Sequence, residues 1–251
     1  MKKNFILILF TALGVNCFAQ EESKKTHRFA DFTATAGSSQ FAFSLSYVYN
    51  WRLGKRQRFE IGLGGRWTTF SGSKIDFLTA GPAKYTRSFT TPFVIFFAGQ
   101  KEENFDTLTV QRPLTHSINL TLNFGYHIGK KWCAGFNIDA IGFTFGRETS
   151  AVFTGDNAAT GMKGMFIDPS VKPASFNLLL TGDHDYGTLN SEFFLKFKVS
   201  SHFQLKAVYQ FIFVEYETTR TVVAQQIPGG PVNIRFRNKG NLFGAGISYE
   251  F

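Results

Sequence analysis

Three groups of residues have the types that chemistry uses. His116 and Ser117 are adjacent, Asp183, His184 and Asp185 run together, and His127, Cys133 and His202 stand apart. A serine beside a histidine could serve nucleophilic acyl transfer, the imidazole taking the hydroxyl proton. Residues 116–117 fall in a strand pattern, however, and neighbours on a strand point to opposite faces, so these two cannot easily share a proton. Asp183–Asp185 lies in a long connection and reads as a solvated turn. His202 stands beside a turn and His127 on a polar strand face, neither at metal-ligand spacing, so no metal and no cofactor are expected. The glycines of GLGG at 62–65 sit mid-strand with no helix following, which excludes a phosphate loop and reads as relief of crowding. Taken together, these residues predict no enzyme.

The elements around these residues are strands. From 40 to 52 the odd positions are Phe41, Phe43, Leu45, Tyr47, Tyr49 and Trp51, against Ala42, Ser44, Ser46, Val48, Asn50 and Arg52. Successive strand side chains face opposite ways, so one face is aromatic and aliphatic and the other small or polar. The same alternation marks 58–70, 116–128, 132–144, 189–199, 203–213 and 241–251, and more weakly 27–36, giving eight strands. The pattern blurs at Ile141, Phe143 and Phe145, which predicts a bulge. Short turns at 53–57, 129–131 and 200–202 alternate with long connections at 71–115, 146–188 and 217–240. A hairpin of 85–97 with 105–110 would raise the count to ten if it crossed a membrane, or stand above it if not. The run FVIFF at 93–97 is the most apolar part of that connection.

Charge follows the alternation. Asp31, Arg52, Lys198 and Glu250 lie on the polar face together with Glu60, Arg66, Asp139, Glu192, Lys196 and Lys206, and of these the last six are the ion-pair candidates. If that face lines an interior, such charges are tolerable only when paired. These six residues are therefore the expected interior ion-pair set.

Composition bounds the location. Lys2 and Lys3, an apolar run from Phe5 to Val15 and Cys17-Phe18-Ala19 read as a secretory leader, with cleavage after Ala19. Acylation of Cys17 is the alternative reading of the same segment. Residues 20–251 fit one domain and retain only Cys133, so no intramolecular disulfide can hold them. Beyond the leader no apolar run approaches the roughly 20 residues of a helical span. Aromatic residues make up 17% of the chain and Phe numbers 31, which demands a structure apolar over one whole face. The net charge of +9 suits anionic lipid better than nucleic acid once export is expected.

These patterns resemble the small bacterial outer-membrane β-barrels of eight strands, such as the OmpA transmembrane domain and OmpX. The likeness rests on alternation over most of residues 20–251 and on an ending with Phe243, Ile247, Tyr249 and Phe251. It implies an all-β, closed, antiparallel up-and-down barrel with short periplasmic turns and long outer loops. It also implies that those four residues act as an insertion signal read by the barrel-assembly machinery. Trp51, Phe59, Tyr126, Trp132, Phe203, Tyr249 and Phe251 would form the periplasmic aromatic girdle. A soluble exported β-barrel with inverted faces is the competing fold. Arg235, Arg237 and Lys239, near the outer rim, are candidate lipopolysaccharide contacts. A monomer with a plugged interior and a surface or partner-binding role is expected. A narrow porin and a lipid-modifying enzyme are the alternatives.

Overall fold

The computed structural model describes residues 26–81, 86–88, 99–101, 104–157, 162–180, 184–218 and 235–251. These hold thirteen strands where alternation predicts eight: β1 (Thr26–Gly37), β2 (Gln40–Leu53), β3 (Phe59–Gly72), β4 (Ile75–Thr79), β5 (Thr107–Val110), β6 (Leu114–Ile128), β7 (Trp132–Gly146), β8 (Thr149–Asn157), β9 (Met162–Pro173), β10 (Phe176–Leu178), β11 (Leu189–Lys198), β12 (Phe203–Thr218) and β13 (Arg235–Glu250). All belong to one sheet, and every pairing is antiparallel.

The thirteen do not make one simple up-and-down cylinder. Eight pairings among the long strands run β1–β2–β3–β6–β7–β11–β12–β13 and return from β13 to β1. At one end β12 and β13 continue past this circuit. There β12 pairs with β9, β9 with β8, β8 with β5, β5 with β4 and β4 with β13. The long connections at 71–115 and 146–188 are thus not plain loops, because their short strands complete a second circuit on the projecting hairpin. Val110 of the expected 105–110 strand pairs with Ile75 rather than with any residue of 85–97. Most of 85–97, including 93–97, lies outside the described residues, as does the leader.

Side-chain direction explains both circuits. In the long strands the large apolar residues point outward: on β2, Phe41, Phe43, Leu45, Tyr47, Tyr49, Trp51 and Leu53 are all exposed, while Ser44, Ser46 and Asn50 are buried. Around the second circuit the polarity reverses. Ile75, Phe77, Leu108, Val110, Ala151, Phe153, Val171, Val214, Tyr216 and Phe236 meet inside it as one buried apolar cluster. A short strand in water must bury its apolar face against other strands, and these do so against each other.

β12 displays the change along a single strand. Its outward column runs Phe203, Leu205, Ala207, Tyr209, Phe211 and Phe213, then reaches Glu215, which is fully buried among other residues. About eleven residues at roughly 3.3 Å rise and about 40° tilt climb about 25 Å, the height of an outer-membrane apolar band.

The expected irregularity in β7 is present. Leu120 pairs with Ile141 but Thr121 with Asp139, so Ala140 is the extra residue, just before the stretch where alternation blurs. At the seam between β1 and β13, Gly244 faces Thr35, and a Cβ there would strike the Ala34 carbonyl oxygen. Only glycine fits that approach.

Candidate functional site

The interior of the eight-strand circuit is a stack of polar layers. In the middle, six charges alternate in sign along a continuous chain: Asp139, Arg66, Glu192, Lys206, Asp31, Lys196. Arg66 Nη2 lies 2.6 Å from Asp139 Oδ1, and its Nη1 lies 3.4 Å from Glu192 Oε1. Lys206 Nζ is 2.8 Å from Glu192 and 3.1 Å from Asp31, which Lys196 also reaches at 3.1 Å. Three cations balance three carboxylates, and all six side chains are buried.

Most of their remaining hydrogen-bonding capacity is also used, Glu192 Oε1 being held only by the longer ion-pair contact with Arg66. Asp139 accepts from Arg66 Nε at 2.9 Å, Asn119 Nδ2 at 2.7 Å and the Asn190 N–H at 3.0 Å. Arg66 donates further to Asn137 and to the Asn190 carbonyl. Lys196 Nζ donates to Ser248 and stands 3.4 Å above the Phe29 ring. Buried ions persist only with such satisfaction, because desolvation alone costs several kcal/mol per ion.

Five of the six ion-pair candidates, Arg66, Asp139, Glu192, Lys196 and Lys206, therefore meet in one network, joined by Asp31, which alternation also places on the polar face. Glu60 stands apart from them. Its carboxylate lies at the end of the circuit where β3 starts, held by two histidines rather than by lysine or arginine. His127 Nε2 is 2.8 Å and His27 Nε2 3.2 Å from Glu60 Oε2. The Cys133 thiol points at Oε1 across 3.8 Å. Glu60, His127 and Cys133 thus stand together, with ligand atoms within 4.8 Å of one another, a grouping that spacing along the chain does not indicate. Next to the four residues, a cleft of about 600 Å³ is lined by Arg52, Arg56, Arg58, Lys130, Lys131 and Lys198, among others.

At the opposite end two of the three candidate lipid contacts are covered by other parts of the chain. Arg237 is buried and donates through Nε to Glu215 Oε1 at 2.8 Å, and Arg235 Nη1 is 3.2 Å from Oε2. Glu215 also accepts the Gly187 N–H at 2.7 Å. Arg235 and Arg237 thus pair with a buried carboxylate, because the segment before β11 covers the outside of β12 there. Lys239 is exposed, 5.8 Å from the Phe213 ring centre. Arg235 also stacks 3.9 Å above Tyr186, whose phenol is raised by burial and by its hydrogen bond to Glu217.

The catalytic candidates do not converge. His116 faces outward, its Nδ1 3.0 Å from Thr69 Oγ1 and its ring stacked on Phe145, while Ser117 is buried inside. Asp183 lies outside the described residues, His184 is exposed, and Asp185 accepts the Leu180 N–H at 2.7 Å. His202 Nδ1 is 2.9 Å from the Glu250 carbonyl. Phe243, Ile247, Tyr249 and Phe251 all project outward from one face of the last strand and its end.

No family model and no curated protein sequence matches the chain. Solved structures do resemble it. Neisserial surface protein A is 11% identical, with 92% of this chain and 100% of that chain covered and a TM-score of 0.39. The Yersinia pestis outer membrane protein Ail, in a phospholipid bilayer nanodisc, is 8% identical over 90% of this chain and 99% of that chain, with a TM-score of 0.36. A Pseudomonas aeruginosa FadL homologue is 8% identical over 91% and 74%, with a TM-score of 0.22. At this level of likeness the activities of those proteins do not transfer to this chain.

Proposed function

We propose that the protein is an integral outer-membrane barrel in which the eight long strands cross the bilayer, and that it acts through its outer end rather than by conducting solute. The observation that carries this reading is the inverted polarity of the long strands, with an aromatic and aliphatic exterior around a buried, charge-balanced interior. A soluble barrel would place those rings inside, where an eight-strand circuit has room only for ordinary side-chain filling. Among the described residues, the Asp139-to-Lys196 chain crosses the interior and the apolar cluster lies above it, which supports a closed lumen.

The second circuit then stands on the outer face as a rigid platform for partner contact. A cleft of about 220 Å³ on it is bordered by Asp76, Leu78, Gln100, Phe105, Asn238 and Lys239, among others. Phe243, Ile247, Tyr249 and Phe251 serve barrel assembly in this reading, by presenting one apolar column to the machinery.

The test is reconstitution of the purified protein in planar bilayers. Absence of stepwise conductance, with recovery from cells only in detergent, is expected. Discrete channel openings would overturn the closed interior and favour a porin. Recovery without detergent would overturn the membrane reading itself.

A further inference from the structure

We infer that the inner end of the barrel carries a transition-metal site built from His27, Glu60, His127 and Cys133. The inference rests on geometry independent of the outer-end function. The four residues come from four strands, β1, β3, β6 and β7, and the two imidazoles and the thiol all gather about the Glu60 carboxylate. The donor atoms of Glu60, His127 and Cys133 all lie within 4.8 Å of one another. His27 Nε2 joins them, 3.2 Å from the same Glu60 oxygen that His127 approaches at 2.8 Å.

These separations fit a bound ion. Tetrahedral zinc with bonds of about 2.0–2.1 Å to nitrogen and oxygen holds those donors about 3.3 Å apart, and its longer bond to sulfur, about 2.3 Å, widens that edge by a few tenths of an ångström. The two imidazole nitrogens lie 2.8 and 3.2 Å from Glu60 Oε2, near that edge, and Cys133 Sγ, 3.8 Å from the other oxygen Oε1, would reach the same ion through a small turn of the carboxylate or the thiol. Two imidazoles, a carboxylate and a thiolate form a donor set of mixed hardness, which suits Zn²⁺ or Co²⁺ and does not suit Mg²⁺ or Ca²⁺. The charges also suit it, since one carboxylate and one thiolate neutralise a divalent ion.

Binding balances simply. The Cys133 thiol gives its proton to solvent as the metal–sulfur bond forms. Each neutral imidazole offers its Nε2 lone pair and carries its proton on Nδ1 instead. Access is through the adjoining cleft, which His127 and Cys133 both line. Its rim of arginines and lysines slows cation entry but favours the thiolate once the ion is seated.

The test uses the detergent-solubilised protein titrated with Co²⁺ alone. One equivalent should bind, with visible ligand-field absorption and a near-ultraviolet thiolate-to-cobalt band, both displaced by Zn²⁺. Cys133→Ser should lose the thiolate band. Glu60→Gln and His127→Ala should weaken binding at least about tenfold, since losing even an outer-shell partner costs about 10- to 100-fold. Heated and unheated electrophoretic mobility verifies that each variant is folded. A readout that needs no variant is maleimide labelling of Cys133, which Zn²⁺ should slow at least about tenfold and Ca²⁺ should not. Cobalt absorption lacking the thiolate band, or labelling that Zn²⁺ leaves unchanged, would overturn the site and assign any binding to surface histidines.

Discussion

Arg66 on β3 and Asp139 on β7 touch across an intervening strand, their nearest atoms 2.6 Å apart, although β6 separates their backbones. A contact of this kind spans the interior rather than decorating one wall. It forms because Arg66 is long enough to cross, and because Asn119 and the Asn190 N–H hold the carboxylate ready to meet it.

Removing one member of that pair should therefore be severe. Arg66→Met leaves Asp139 buried without its cation, and the loss should be about 3–5 kcal/mol. Asp139→Asn combined with Arg66→Met should recover part of it. Unfolding in urea, followed by electrophoretic mobility, measures both variants, and a single-variant loss under about 1 kcal/mol would show that the pair is not closed to water.

The outer belt predicts a dependence on depth. Leu45, 53% exposed midway along β2, should cost about 2–4 kcal/mol when replaced by arginine. Leu53→Arg, at the end of the same strand, should cost about 0–1 kcal/mol. Equal costs at the two positions, measured by folding into lipid vesicles, would place both outside a bilayer.

The second circuit should yield separately from the first. Phe77 is fully buried in the apolar cluster, its ring against Tyr216. Phe77→Ala should remove about 3–5 kcal/mol locally. Limited proteolysis from outside should then cut within 71–115 or 146–188 while the rest still resists heat-free denaturation. Unchanged protection would mean that the cluster adds little.

Closure between the first and last strands depends on a close approach. Gly244→Ala places a methyl against the Ala34 carbonyl and should cost about 1–3 kcal/mol. Slower assembly in vesicles and an earlier urea midpoint are expected. Ala245→Gly, on the opposite face of the same strand, is the control and should change either by less than half as much.

The long strands were legible because parity repeats over ten or more residues, as from Phe41 to Trp51, and a repeat of that length cannot arise from a loop. The second circuit was not, because a stretch such as Ile75–Thr79 offers only two inward apolar residues, too few to distinguish from chance. Arg235 and Arg237 looked like rim charges because their partner Glu215 sits on a different strand, on the parity that is outward and apolar farther down. Glu60, His127, Cys133 and His27 were invisible as a group for a related reason. Each comes from its own strand, and chain spacing records nothing of what meets across a circuit. Parity still placed Arg66, Asp139, Glu192, Lys196 and Lys206 on one face, which is as far as alternation alone can reach.

On β12 the inward column reads Lys206, Val208 and Gln210, then Ile212, Val214 and Tyr216. A ribbon that merely alternates can slide two positions past its neighbour and present much the same edge. This one cannot, since a slip of two carries Gln210 up into the apolar cluster where Ile212 sits, or Val208 down to where Lys206 meets Asp31 and Glu192. If the long strands cross a bilayer as proposed, the sequence thereby sets the height at which the protein rides in it, as a draught mark sets the waterline of a hull.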